Sequence, residues 1–473
     1  MKICIITEGS YPYMIGGITS WLNIFLKCFT DLQFVTFAIG AKEKDKGKYS
    51  CKIPDNMIHI KEIFLDTPVK KKVHWLSRHF IKDNREREAL SNHFSGRYSD
   101  WPMLFEFIER IKGNNLIDFF NSSEFYEIVQ DIYKTDFPNA PFNDFLWSIR
   151  TMYIYQFYVL SEDVPEADVY HCVSAGFPGI VASKMNYFKK KPFILTEHGI
   201  YTREREEEII KTNLIMGYAK ELWVKYFVSM SKCAYEFSQR IVTQFERNRS
   251  IQIGIGADIQ KTLIIPNGMN VEDYNKTFDN KLYDDSIVLG AIARVVPIKD
   301  IITMVRSFKL AKKEVPALKL VIMGPTNEDE EYFEYVLDYI KKENICDVVF
   351  TKRVDYNTYL HTLFSMDIVI LTSISEGQPL SILEAMAYSK PIIVTDVGCC
   401  SELVYGASQG QDRAGILVPV MDSTAIAKAI VHLALDESMR KRMGEVGKQR
   451  VSKYYTIKNM QAEYKKVYEE ALS

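Results

Sequence analysis

Along most of this chain, short β-branched and aliphatic runs alternate with helix-patterned stretches, and that alternation leaves few architectures open. A first series comprises Lys2 to Thr7, Leu32 to Ile39, Phe193 to Thr196, Arg240 to Thr243 and Leu263 to Pro266. After Asn267-Gly268 and a polar stretch to Asp285, a second series runs through Ile287 to Ala293, Leu318 to Met323, Val348 to Phe350, Asp367 to Thr372 and Pro391 to Thr395. Apolar strands separated by helices belong to parallel sheets covered on both faces. The chain has 473 residues, more than a single hydrophobic core usually serves. The expected fold class is therefore α/β with two Rossmann-like, doubly wound domains, divided near residues 268 to 286. Between about residues 60 and 160 the alternation fails. Helix-forming text such as Trp101 to Lys112 replaces it, which predicts a helical insertion in the first domain.

Lysines and arginines number 59 against 61 aspartates and glutamates, and the resulting net charge of −2 argues against a dedicated nucleic-acid binder. The eight cysteines are scattered without paired CxxC units, so a disulfide framework is not expected and a reducing cytosol is the better reading. Met1 to Gly9 lacks the length and cleavage site of a signal peptide and reads as a first strand. No run approaches about 18 uninterrupted apolar residues, which predicts a soluble chain. One segment points toward a membrane surface: Lys70, Lys71 and Lys72, followed by Val73 to Lys82, are basic and amphipathic. The same pattern more often marks a solvated helix packed on its own domain.

The chemistry concentrates in a few strand-to-helix transitions. Ile368 to Leu371 reads as a buried strand, Gly377 and Pro379 punctuate, and Leu380 to Ala387 has helical character, so Glu376 and Glu384 lie eight residues apart around a helix start. Unpaired amides and the helix dipole make such a terminus an anion site, and two carboxylates there suit one sugar and one ribose. In Gly290 to Asp300, a strand end delivers Arg294, and Lys299 follows a proline-shaped turn. Gly324 and Pro325 end the next strand, and Arg353 lies further along. Near the N-terminus, Gly16 and Gly17 follow the first strand and open a helix near Ile18, where glycine lets backbone approach a diphosphate. His198 lies just past a buried strand, where open α/β sheets bind ligands, and a second histidine, His171, follows Asp168-Val169-Tyr170. Arg203 and Arg205 precede Glu206, Glu207 and Glu208, which suggests a mixed-charge helix face.

The Glu376 to Glu384 segment resembles the Glu-x7-Glu signature of retaining glycosyltransferases of family 4, which adopt the GT-B fold. Glu-Gly-Ser-Tyr-Pro-Tyr from Glu8 and Gly-Gly-Ile-Thr-Ser-Trp from Gly16 look most like the PelF group that builds the Pel exopolysaccharide. The resemblance implies two Rossmann-like domains facing a cleft: an acceptor-side domain at 1–275, a nucleotide-sugar-binding domain at 276–455, and a helix at 456–473 crossing back to the first. It implies transfer, with retention, from a nucleotide sugar, UDP-linked in PelF-like enzymes, to a glycan acceptor in exopolysaccharide synthesis. The implied catalytic residues are His198, Glu376, Arg294 and Lys299. The implied donor-binding residues are Gly16, Gly17, Arg294, Lys299, Glu376, Gly377, Gln378, Pro379, Leu380 and Glu384. His198 matches the family histidine near the transferred sugar and is preferred to His171. There is no Asp-x-Asp motif, so no metal and no cofactor is expected, the two cations and helix termini neutralising the diphosphate instead. A cytoplasmic enzyme of this kind is expected to work beside a membrane polysaccharide synthase, peripheral to the inner face of the membrane. The alternative is a non-catalytic nucleotide-sugar-binding subunit that regulates such a synthase. An oxidoreductase would show Gly-x-Gly-x-x-Gly after a strand, which this chain lacks.

Overall fold

The structure is a computed structural model that describes residues 1–14, 16–67, 79–212, 215, 217–283, 286–406 and 412–472. Lys70, Lys71, Lys72 and the rest of the basic stretch through Arg78 lie outside the described residues. The chain divides into two compact units, one of residues 1–243, 248–264 and 463–473, the other of residues 244–247 and 265–462. The last helix, Ile457–Leu472, is shared between them.

The first unit is built on β1 (Lys2–Glu8), β2 (Gln33–Gly40), β3 (Met57–Phe64), β4 (Val169–Cys172), β5 (Phe193–Thr196), β6 (Arg240–Thr243) and β7 (Thr262–Ile264). These form one sheet in the order β3-β2-β1-β4-β5-β6-β7, all neighbours parallel. The inner strands are buried on both faces, as crossover helices require. Among the described residues, five helices lie between β3 and β4: Asn84–Phe94, Trp101–Ile111, Asn114–Phe119, Ser123–Asp136 and Phe142–Ser161. Phe94, Phe107, Phe119, Phe120, Phe125 and Phe157 meet in one aromatic core within this segment. Asp83, Asp100 and Ser122 cap three of the helices by accepting amide hydrogen bonds from Glu86, Met103 and Phe125.

The second unit holds β8 (Ile287–Ile292), β9 (Leu318–Met323), β10 (Val348–Lys352), β11 (Ile368–Leu371), β12 (Ile392–Thr395) and β13 (Gly415–Val418). The order is β10-β9-β8-β11-β12-β13, again wholly parallel. In both sheets the strand order reverses beside the first strand of the unit, between β1 and β4 and between β8 and β11. Open α/β sheets bind ligands at the carboxyl ends of strands at such a reversal. Arg294 follows β8 and Glu376 follows β11, the two strands that flank it in the second sheet. Gly290 is fixed by packing, because a Cβ there would lie 2.0 Å from the Met366 sulfur. Two wholly parallel sheets of this kind match the expected pair of Rossmann-like domains.

Candidate functional site

In the second unit, Gly324 has φ 154°, and a Cβ would lie 2.2 Å from the Ala293 carbonyl, so only glycine lets the exit of β9 press against the backbone leading to Arg294. Arg294 is exposed and donates from Nη1 to Glu328 Oε2 at 2.7 Å, while Arg353 lies 3.9 Å from the other oxygen of that carboxylate. The turn Pro297–Lys299 then ends at Asp300, whose φ is 46° and whose carboxylate caps the next helix by accepting from the Thr303 amide at 3.2 Å. Thr372, just past β11, donates its hydroxyl to the Lys299 carbonyl at 2.9 Å. These contacts aim Lys299 at Glu376. Their side chains form a short ion pair with 17% and 11% exposure, and Ser373 Oγ donates to the same Glu376 oxygen at 2.5 Å.

The Glu376 loop is held from behind as well. Gly398 has φ 52°, and a Cβ would meet the Gly377 and Glu376 carbonyls at 2.3 and 2.4 Å. The Cys399 amide donates to the Gly377 carbonyl at 3.1 Å. Gln378 exchanges two hydrogen bonds with the Asn267 backbone, its Oε1 accepting at 2.8 Å and its Nε2 donating at 3.3 Å. Its amide is thus engaged in holding the loop. Pro379 precedes the helix Leu380–Ala387, which has no side-chain cap, and Leu380 is 40% exposed. Glu384 sits one turn into that helix, where its carboxylate accepts from the Tyr359 hydroxyl. Burial pushes the Glu384 carboxyl up, and hydrogen bonds from Tyr359 and Tyr274 hold it down. The fold therefore brings Lys299, Ser373 and Glu376 together, keeps Glu384 with its own tyrosines, and leaves Arg294 on Glu328.

In the first unit the helix Gly17–Cys28 begins one residue earlier than the sequence suggests, with Gly16 as extended N-cap. A Cβ at either glycine would meet nothing within 4 Å. The fold does not demand glycine there, and the space above both is open. His198 follows β5, and its ring lies edge-on to Trp21 with centroids 4.4 Å apart. Its Nε2 is buried without a partner among the described residues, and burial lowers its pKa to about 4, so the ring is neutral at physiological pH. His171 differs: its ring nitrogens contact the Tyr468 hydroxyl at 2.6 Å and Thr196 Oγ1 at 2.8 Å. It is a satisfied core histidine.

Sequence reasoning passed over Glu8 as a functional candidate. It ends β1, and burial pushes its carboxyl up to about 7 against the opposing influence of Arg205 and the Phe177 amide. Its Oε2 and the Nε of Arg205 are both buried without a partner among the described residues. Arg205 also donates to Glu208 at 2.7 Å and lies over the Tyr201 ring at 5.5 Å. The expected mixed-charge helix face thus accounts for one edge of this guanidinium and omits its influence on Glu8. A glutamate closing a buried strand was the available signal.

Comparison with known proteins fits this arrangement. Residues 1–260, more than half of the chain, match the family described as "Domain of unknown function (DUF3492)", and residues 273–450 match "Glycosyl transferases group 1". The chain belongs to the DUF3492 family and carries a group 1 glycosyl transferase domain. This DUF3492 protein is 24% identical over 363 residues to an uncharacterised glycosyltransferase of Methanocaldococcus jannaschii, covering 75% of this chain and 92% of that one. It is 28% identical over 209 residues to the capsular polysaccharide biosynthesis glycosyltransferase CapM of Staphylococcus aureus, 43% of this chain and 52% of CapM. The chain thus spans about half the length of some of the curated relatives it matches. Among solved structures it resembles Anabaena HepE in complex with UDP and glucose, with a TM-score of 0.59 at 14% identity, covering 99% of this chain and 100% of that one. A glycosyltransferase from Rickettsia africae gives 0.59 at 15% identity, covering 100% and 98%. At these identities the likeness concerns the fold. Among the described residues, no group of histidine, cysteine and carboxylate side chains suits a metal ion, and no helix is long and apolar enough to cross a membrane.

Proposed function

We propose that this DUF3492 protein is a retaining glycosyltransferase of family 4 type, close to the PelF group, that moves a sugar from a UDP-sugar to a glycan acceptor in exopolysaccharide synthesis. The observation that carries this reading is the Lys299, Ser373 and Glu376 assembly at the β8/β11 reversal, inside the group 1 glycosyl transferase domain. The UDP in the HepE structure and the capsular role of CapM support the donor and the product class.

In this reading Lys299 and Arg294 bind the donor diphosphate, neutralising charge that grows on the leaving phosphate. Arg294 must leave Glu328 to do so. Glu376 positions the sugar hydroxyls, Glu384 takes the ribose, and neutral His198 lies near the reacting carbon. Gly16 and Gly17 offer amides to phosphate. The acceptor hydroxyl oxygen attacks the anomeric carbon on the face from which UDP departs. The bond from that carbon to the phosphate oxygen breaks, and the hydroxyl proton passes to the departing phosphate. With lysine and arginine as counter-charges, no metal is needed.

Calorimetric titration with UDP, GDP and ADP, with and without a chelator, tests the donor site. Selective, chelator-insensitive UDP binding is expected. Lys299→Ala is expected to slow transfer chiefly, by about 100-fold or more if it stabilises the leaving group as an electrostatic catalyst. Glu384→Ala is expected to weaken UDP binding by about tenfold or more, the worth of a hydrogen bond to a charged group. Wild-type binding and turnover in both variants would overturn the assignment.

A further inference from the structure

The Glu384 carboxylate is anchored by side chains from two other elements. Tyr359, on the helix Tyr356–Ser365, donates its hydroxyl to Glu384 Oε2. Tyr274, on the short turn Val271–Asn275, supplies a second hydroxyl interaction with the same carboxylate. Both tyrosines are themselves fixed. Asp355 caps the Tyr359 helix by accepting from the Asn357 and Thr358 amides at 3.0 and 3.1 Å. Tyr274 is 8% exposed and packs edge-on against Tyr388 with ring centroids 5.6 Å apart.

An ionised carboxylate offers about four acceptor positions. With one occupied by Tyr359 and Tyr274 lying beside the same carboxylate, acceptor positions remain for the vicinal hydroxyls of a ribose. We propose that Tyr359 and Tyr274 are positioning residues that hold Glu384 so that its remaining acceptor positions meet both ribose hydroxyls, making the site select ribo- over 2′-deoxyribonucleotides. This inference rests on the reading of Glu384 as the ribose contact. It adds the two groups that fix the carboxylate and the selectivity that follows.

The surroundings agree. Tyr359 and the exposed Tyr356 on one helix and Tyr274 on the turn are the titratable groups that interact with the carboxylate, Asp273 acts on Tyr274 and Tyr356, and no cation among the described residues acts on Glu384. Glu384 therefore depends on hydroxyl donors for its orientation and for its ionised, hydrogen-accepting form. A carboxylate freed of one tyrosine can turn, and its directional fit to two hydroxyls is lost before its charge is.

The test is a thermodynamic cycle on the full chain, with calorimetric Kd values for UDP and 2′-deoxy-UDP in wild type, Tyr359→Phe and Tyr274→Phe. Wild type is expected to prefer UDP by about tenfold or more, as for a hydrogen bond to a charged group. Tyr359→Phe is expected to shrink that preference to about threefold or less, with the loss falling on UDP and little change for 2′-deoxy-UDP. A purely structural defect would weaken both nucleotides alike and keep the ratio. A wild-type ratio retained in Tyr359→Phe overturns the proposal, as does a wild type that binds both nucleotides equally. Tyr274→Phe carries the same test if Tyr359→Phe fails to fold. A wild type that binds no nucleoside diphosphate overturns the donor site itself and this inference with it, an outcome distinct from UDP binding without the tyrosine effect.

Discussion

Glu8 ends β1 with a carboxyl group that burial pushes up to about 7, although Arg205 and the Phe177 amide oppose the shift. In an unfolded chain glutamate titrates near about 4.3. Below that value both states carry the proton. As pH rises from there to about 7 the unfolded chain gives up its proton first, so the folded state binds more protons and stability falls, levelling off above the window. Glu8→Gln keeps the shape and removes the titration. Its melting temperature relative to wild type is expected to climb through the window and stay constant beyond it. Thermal melts across a pH series measure this, and a difference that ignores pH would mean Glu8 is already ionised and paired. Residue-level legibility followed sequence distance. Lys299 and Glu376 stood out because each sits in a recognisable local segment. Glu8 gains its character from burial, tempered by Arg205 and the Phe177 amide far along the chain, and Glu384 gains its anchor from Tyr359 with Tyr274 beside it. No local pattern encodes those meetings.

At the scale of elements, the last helix shows how a distant segment completes a strand end. Tyr468 and Tyr464 on Ile457–Leu472 reach β4 and β5: the first contacts His171 Nδ1 at 2.6 Å, the second Thr196 Oγ1 at 3.0 Å. Tyr468→Phe leaves a fully buried ring nitrogen unpaired, at a cost of about 1–3 kcal/mol. Tyr464→Phe is expected to cost less, because Thr196 Oγ1 keeps its contact with His171 Nε2 at 2.8 Å. Urea denaturation of the two variants measures the difference. Equal losses would mean that packing of the rings, rather than their hydroxyls, accounts for the contact. Most inner strands were legible because burial on both faces makes them continuously apolar, as in β1 and β11, whereas the four-residue inner strand β4 is absent from the alternating series. The edge strands β3 and β13 were not. β3 carries His59, Lys61 and Glu62 and is only partly buried, so its sequence blends into the polar text that precedes the five helices. β13 is short, with two of its four residues only partly buried, and offers too little pattern to distinguish it from a loop.

Over the whole molecule, the eight cysteines report on both units separately. None of them forms a disulfide, with Cys346 exposed, Cys28 and Cys51 partly covered, and Cys4, Cys172, Cys233, Cys399 and Cys400 buried. Burial pushes all five buried thiols up, so they are unreactive until the fold opens around them. A thiol reagent is expected to label Cys346 first, Cys28 and Cys51 more slowly, and the rest only through opening. Cys399 and Cys400 lie beside the Glu376 loop, and the Cys399 amide donates to the Gly377 carbonyl, so the opening that frees these thiols also loosens the proposed donor site. A ligand that binds only the closed form suppresses such opening by the factor 1 + [L]/Kd, about 100-fold at a hundred times Kd. UDP at that concentration is therefore expected to slow labelling of Cys399 and Cys400 by about that factor, read by mass spectrometry of the labelled peptides. If saturating UDP leaves both rates unchanged while calorimetry still records binding, the nucleotide is held away from the Glu376 loop. The roles given to Lys299 and Glu376 would then fall even though the chain binds UDP.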